Sequence, residues 1–310
     1  MNLRILDFDG SLIRQTKLLE QFPLRVFPLQ DWGPVIRMAC SLRRFEQFDR
    51  ALAVILGSAA DDSPWLTLYG SGDFHHVTLA LLKRQTRPFN LLVLDNHHDW
   101  MRGLPFMHCG TWLLHAARLS MVNQIYHVGG NVDFDNYYQW LTPWNLLRHG
   151  KIVVFPGLRR FQKGAWASIP THPLRKLDQC SLSADSLDEM IRPFRFQLSR
   201  LPLYVTLDKD VMPVTDAIVN WDSGHVTLDE VTRVMRCFMR AARVKLAGMD
   251  IVGDWSPVKV KGLIRWFFHV SEHPELSVDA SEASERNADT NVALLESICH
   301  AKHGNCLQAG

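Results

Sequence analysis

The sequence predicts an α/β protein, a three-layer α/β/α sandwich around a mainly parallel sheet. Two observations carry this. Short, almost wholly apolar runs recur along the chain, such as Leu91-Leu92-Val93-Leu94 and Leu203-Tyr204-Val205-Thr206-Leu207. A strand apolar on both faces is one that helices cover on both sides. Between these runs lie segments with helical spacing, and alternation of the two kinds is the pattern of a parallel sheet. A third observation points to where function sits. Acids cluster where two of the runs end, and in such sheets ligands bind beyond the carboxyl ends of the strands.

Strands are predicted at residues 4–6, 65–69, 91–94, 124–128, 152–155, 203–207 and 245–251. Helices are predicted at 77–84, which has an apolar stripe, and at 111–119, 185–192, 228–244 and 284–301. The fourth of these opens with Thr227 as N-cap and Glu230 three residues on, the two halves of a capping box. Residues 157–182, with Pro156, Pro170 and Pro173 in or beside them, read as a long loop. No repeat and no shift in composition divides the chain, so one domain over 1–310 is expected.

With 47% hydrophobic residues the chain is far from the composition of disorder. Its 34 basic and 32 acidic residues leave a net charge of +2, which gives no support to a nucleic-acid or membrane-surface role. The basic patches Arg159-Arg160 and 240–245 read as solvated faces. Two acids fall within the first nine residues, so the start does not resemble a signal peptide. No run of about 18 apolar residues occurs, so no membrane span is expected. The six cysteines are scattered without a Cys-x-x-Cys pair, which suits a reduced, cytoplasmic protein.

The chemistry centres on Asp95, His97 and Asp99, after the run 91–94, and on Asp208 and Asp210, after 203–207. If the chain stays extended there, positions i, i+2 and i+4 point one way and these side chains converge. Four crowded carboxylates repel one another unless cations sit between them. Carboxylate with imidazole suits Mn(II), Zn(II) or Fe(II) better than Ca(II). The expectation is a two-metal hydrolase. Three further elements fit it: the turn Gly70-Ser71-Gly72-Asp73-Phe74-His75-His76, the segment Pro105-Phe106-Met107-His108-Cys109-Gly110, and the strand end running from Gly248 to Pro257 with Asp250 and Asp254.

Taken in order, these five elements resemble the motifs of the arginase/agmatinase family, the ureohydrolases. The resemblance runs from Gly70 to Pro257. It implies an arginase-like fold and two manganese ions, with zinc or iron as alternatives. It implies the ligands His75, Asp95, His97, Asp99, Asp208 and Asp210, and a metal-bridging hydroxide that attacks a guanidinium carbon. Asp99 is thereby placed in the catalytic centre as well as the ligand set. By the same resemblance Asp254 stands near the acid that holds the substrate, and His108 near the histidine that transfers protons. A small cationic substrate is implied, and the family's habit suggests a homo-oligomer.

The chain departs from the family pattern at several places. Phe74 intervenes before the histidine of the glycine-rich turn, so His75 and His76 compete for the ligand role, with His75 favoured. Trp100 and Met101 stand where arginases carry an asparagine, which counts against arginine itself as substrate. Asn220 to Gly224 replaces a Thr-Gly-Thr-Pro-like segment, and Gly253 stands where the late acid is expected. Trp100, Trp221 and Trp255 flank the motifs and are candidates for the pocket wall; His76 and His98 read as structural, and Asp250 reads equally as a site acid or as a brace of the sheet end. Three other readings compete. Asp7-Phe8-Asp9-Gly10-Ser11 resembles the first motif of haloacid-dehalogenase-like phosphatases, but leaves the five acids and histidines above unexplained. Histone-deacetylase relatives share an Asp-x-His pair but usually hold one metal. A metal-binding protein with a regulatory role is the third, and His108 argues against it.

Overall fold

The computed structural model describes residues 1–57, 64–103, 105–130, 140–155, 184–258, 273 and 278–303. Among these residues the strands are β1 (Asn2–Asp7), β2 (Arg25–Pro28), β3 (Ala39–Ser41), β4 (Trp65–Leu68), β5 (Phe89–Leu94), β6 (Phe106–His108), β7 (Val122–Val128), β8 (Ile152–Phe155), β9 (Leu203–Asp208) and β10 (Leu246–Val252). Eight of them form one sheet in the order β2-β1-β4-β10-β9-β5-β7-β8, and every neighbouring pair is parallel. β3 and β6 make a small antiparallel ladder of their own.

The apolar runs behave as strands buried on both faces should. All six residues of β5 and of β9 are buried. Leu91 and Val93 enter one core, with Phe48, Phe74, Leu79 and Trp112. Leu92 and Leu94 enter the other, with Val205, Leu207, Val234, Phe238 and Leu295. The first core is roofed by α3 (Leu42–Leu56), α4 (Val77–Leu82) and α5 (Trp112–Ala116), with α2 (Gly33–Ile36) and α6 (Trp144–Arg148). The second lies under α1 (Thr16–Gln21), α7 (Ala184–Ile191), α8 (Arg195–Arg200), α9 (Leu228–Ala241) and α10 (Ala280–His303). This is the three-layer α/β/α arrangement.

Each predicted strand is present, and the predicted capping box forms. The Thr227 hydroxyl accepts from the Glu230 amide, and the Glu230 carboxylate accepts from the Thr227 amide at 2.9 Å. The edge strand β2, the β3–β6 ladder and the helices α1, α2, α3, α6 and α8 are additions to the sequence reading. α3 is nonetheless well signalled. Ser41 caps it through the Arg44 amide, Phe45, Phe48 and Leu52 form its buried stripe, and Gly57 ends it at φ 70°. The loop predicted over 157–182, with Arg159, Arg160 and Cys180, lies outside the described residues, as does Cys306. Among the described residues no helix is long and apolar enough to cross a membrane.

The register positions the site. Leu68, Ile251, Leu207 and Leu94 lie level across four adjacent central strands, β4-β10-β9-β5. The residues that follow them therefore leave the sheet side by side. The glycine-rich turn, the late acidic segment, Asp208-Lys209-Asp210 and Asp95 to Asp99 are brought to one place.

Candidate metal centre

All six side chains of the expected ligand set meet at this edge. Nδ1 of His75 lies 3.1 Å from Asp99 Oδ2 and 3.3 Å from both Asp95 Oδ2 and Asp208 Oδ2. Nδ1 of His97 lies 2.8 Å from Asp210 Oδ2 and 3.9 Å from Asp95 Oδ1. Two groups with metal-ligand spacing result, His75/Asp95/Asp99 and Asp95/His97/Asp210, and Asp95 belongs to both. The four carboxylates and His75 are buried, while the His97 side chain keeps 35% of its surface open to solvent.

The route to this geometry differs from the one expected. The chain is not extended between Asp95 and Asp99, because β5 ends at Leu94. A turn gathers the side chains instead. The His97 amide donates to Asp95 Oδ1 at 2.7 Å, and Asp99 sits in the left-handed region at φ 43°, which Asp tolerates better than most residues. Likewise Asp208 closes β9 and Asp210 lies in a 3-10 turn, where its amide donates to Asp208 Oδ1 at 3.2 Å.

Hydrogen bonds behind the candidate ligands fix their orientation. The Thr206 hydroxyl donates to Asp250 Oδ1 at 2.6 Å, so its oxygen accepts from His75 Nε2, 3.1 Å away. That leaves the Nδ1 lone pair of neutral His75 aimed at the carboxylates. Asp250 also accepts from Tyr204, Tyr69 and Thr78, and so braces the sheet beneath the site. Trp112 Nε1 donates to Asp99 Oδ2 at 2.6 Å, the Asn96 amide to Asp210 Oδ1 at 3.0 Å, and His127 Nε2 to the His97 carbonyl at 2.7 Å. Metal ligands are commonly held by such outer partners.

The electrostatics ask for positive charge. Burial and the neighbouring Asp99 and Asp210 push the Asp95 carboxyl well above its ordinary range. Burial and Asp210 do the same to Asp208. Burial alone would make His75 and His97 less basic, yet the surrounding carboxylates raise both, His97 to about 10. Without cations the cluster therefore collects protons. Two divalent ions, with four carboxylates and two imidazoles around them, satisfy the same charges, so the donor set fits a pair of borderline metals.

His76 has a different role. It is fully buried, neither ring nitrogen has a hydrogen-bond partner, and burial with His108 and His75 nearby lowers its pKa to about 3. It packs against Phe45 as part of the core. His108 is buried at the end of β6, where its Nδ1 accepts from the Gly110 amide at 2.9 Å. Its neighbour Cys109 packs with Met38 and Trp221, and Trp221 lies against His97, so His108 belongs to the same locality.

Asp254 does not sit at a pocket rim. It is fully buried and accepts from Lys209 Nζ at 2.7 Å, Gln15 Nε2 at 2.6 Å and Asn291 Nδ2 at 3.1 Å. Lys209 is itself fully buried, so the two charges are held as a pair. The preceding Gly253 explains the displacement. It adopts φ 98°, and a Cβ there would lie 2.5 Å from Asp208 Oδ1 and 2.7 Å from the Lys209 nitrogen. The backbone of β10 thus runs directly against Asp208, with no room for an acid at 253. Trp100 is also wholly buried, so of the three flanking tryptophans it is Trp221 that lies against a candidate ligand. The phosphatase-like acids are occupied in loop closure. Asp7 accepts from the Gly10 amide, and Asp9 from Ser11, Ser71 and Ser256.

No family model matches the chain. An uncharacterized protein of Thermotoga maritima is 25% identical over 277 residues, 89% of this chain and 88% of its own length. Among solved structures, arginase from Bacillus cereus superposes with a TM-score of 0.60 at 15% identity, covering 96% of this chain and 97% of that one. Proclavaminate amidino hydrolase from Streptomyces clavuligerus gives 0.57 at 15%, over 97% and 92%. Agmatine ureohydrolase of Thermoplasma volcanium gives 0.54 at 11%, over 97% and 92%. The chain has the arginase fold. These structural neighbours are hydrolases by name, and the fold places a candidate ligand cluster, His75/Asp95/Asp99, at the carboxyl edge of its sheet.

Sequence reasoning missed three residues of the site: Arg37, Trp112 and His273. Arg37 and His273 both reach Asp73, and Trp112 reaches Asp99. Nothing local marks them, because each contact joins segments distant in sequence or lies behind a ligand.

Proposed function

We propose that this protein is a hydrolase with a two-metal centre that cleaves a linear C–N bond in a guanidino, amidine or related amide compound. One observation carries the reading. Asp95 stands in two ligand groups at once, and each group adds its own imidazole and carboxylate. A lone structural ion needs no second group and no shared acid. His75, Asp95, Asp99 and Asp208 would hold one ion, and His97, Asp210 and Asp95 the other, with manganese the first choice. Two such ions lower the pKa of a shared water and so supply hydroxide near neutral pH.

The chain's own side chains supply the rest. Nδ1 of His108 accepts from the Gly110 amide, so Nε2 is the nitrogen that would pass a proton to a leaving amine. Trp221 packs against His97 and Cys109 against Trp221, which leaves part of the His97 side chain open to solvent as the side from which a substrate would enter. Because Gly253 bars an acid from the end of β10 and Asp254 is paired with Lys209, a cationic substrate would have to find its counter-charge elsewhere. The test is metal analysis of protein purified with manganese, followed by a panel of guanidino and amide compounds assayed for urea or amine release. Two ions per chain with turnover of at least one compound supports the reading. Two ions with no turnover across the panel favours a binding or regulatory role, and no bound metal removes the proposal.

A further inference from the structure

Asp73 is a fully buried acid, two residues before His75, that the chemistry above does not use. Its carboxylate collects three donors from separate parts of the chain. Arg37 Nε lies 2.6 Å from Oδ2, while Trp221 Nε1 at 3.0 Å and His273 Nε2 at 2.8 Å share Oδ1. Despite its burial, Arg37 and His273 hold the group ionised, well below the usual carboxylate range. Arg37 is tied in turn to Ser256 Oγ at 2.9 Å and stands over the Phe74 ring. Asp73 thus ties Arg37, His273 and the indole of Trp221 together, and His273 also meets that indole edge-on at 5.0 Å.

Trp221 touches the site at a particular point. Its ring meets the His97 ring edge-on at 5.3 Å, and its Cδ1 lies 3.1 Å from where a Cβ on Gly72 would be, in the same turn as Asp73. His97 is also the member of the ligand set that solvent reaches most. His75 is gripped by Thr206 at its far nitrogen, whereas the ring of His97 packs against Trp221. The segment that carries Trp221 is also the one where the sequence departs from the ureohydrolase pattern.

We infer that Asp73 and Trp221 are positioning residues for the His97/Asp210 metal position: Asp73 locks the indole, and the indole locks the His97 ring. The inference rests on the two-metal reading but concerns one of its positions only. Outer partners of metal ligands typically change metal affinity about 10–100-fold when removed. The loss should fall on the position that contains His97 and leave the His75/Asp99 position unchanged.

The experiment is manganese titration of the full-length metal-free protein by calorimetry, with paramagnetic resonance to report spin-coupled ion pairs. Wild type is compared with Trp221→Phe, Trp221→Ala and Asp73→Asn. Trp221→Phe retains a ring but not the N–H, so it should lose less than Trp221→Ala, in which the weaker of two binding events should fall about 10–100-fold and the coupled signal should disappear at one equivalent of metal. Asp73→Asn leaves Arg37 without its partner and risks the fold, so a melting curve accompanies it, and the two tryptophan variants carry the decision. Equal weakening of both positions, or two unchanged binding events in Trp221→Ala, overturns the inference and leaves the two-metal reading standing. A wild type that binds no manganese overturns both.

Discussion

Replacing Asp95 by Asn removes the one carboxylate shared by both ligand groups while keeping its size. At an effective dielectric near 20, a unit charge about 4 Å from a monovalent partner is worth about 4 kcal/mol, and a divalent ion feels more. Even after the relief of repulsion among the remaining acids, a loss of roughly 10³-fold in affinity is expected at each position, since 1.4 kcal/mol is a factor of ten. The neighbouring acids give the contrast. Asp99 groups only with His75 and Asp210 only with His97. Asp99→Asn should therefore retain the ion at His97, Asp210→Asn the ion at His75, and Asp95→Asn neither. Elemental analysis after gel filtration in a few equivalents of manganese reads the three stoichiometries. Folding is controlled within the same set. Burial, Asp99 and Asp210 all disfavour charge on Asp95, so the metal-free Asp95→Asn protein should melt no lower than metal-free wild type. If Asp95→Asn keeps one full equivalent of metal, the shared-ligand reasoning fails.

His75→Ala should lose metal, whereas His76→Leu should keep it and lose no stability, because His76 buries two unpartnered nitrogens at a typical cost of about 1–3 kcal/mol; metal content and melting temperature decide, and metal loss in the His76 variant alone would reverse the assignment. His108→Ala should retain both ions while turnover falls about 10²–10⁴-fold, in kcat rather than metal content, and full turnover would show that another group moves the proton. Lys209→Met should cost about 3–5 kcal/mol in urea unfolding, because Asp254 is left buried and unpaired, and Lys209→Met with Asp254→Leu should recover most of it; an unchanged single variant contradicts the pairing. The pH dependence follows from the raised values of His75, His97, Asp95 and Asp208. The metal-free fold binds extra protons, so this stability is fully present at low pH and is lost as pH rises through the raised values, up to about 10 for His97. Asp99, which is lowered, opposes this only in acid. Metal-free protein should thus melt progressively lower from neutral pH to about 10, and manganese should abolish the slope; parallel curves with and without metal would contradict the site's charge balance.

The parts of this account legible in sequence are those that local chemistry determines. Runs such as 91–94 and 203–207, short and apolar throughout, read as buried strands, and their parallel order places Asp95 and Asp208 beside each other. The candidate ligands were visible because their acids and imidazoles fall together at two neighbouring strand ends in a recognisable order. The reason given for their convergence was mistaken, since a turn with Asp99 at positive φ gathers them rather than extended chain. Asp254 was misplaced for a related reason. Spacing alone does not show that Gly253 has its Cβ direction blocked by Asp208, nor that a lysine 45 residues away is buried to receive the next acid. The helix α3 carries a capping serine, an apolar stripe and a terminal glycine, so its signals are local and legible in the sequence. The Arg37–Asp73–Trp221 chain was not readable, because it joins positions 36 and 148 residues apart.

The most direct test of the central claim is an anomalous-scattering map from crystals grown with manganese. The account predicts two peaks at the carboxyl edge of the sheet, one bonded to His75 and Asp99 and one to His97 and Asp210, with Asp95 bonded to both. A single peak, or two peaks that do not share Asp95, would contradict it.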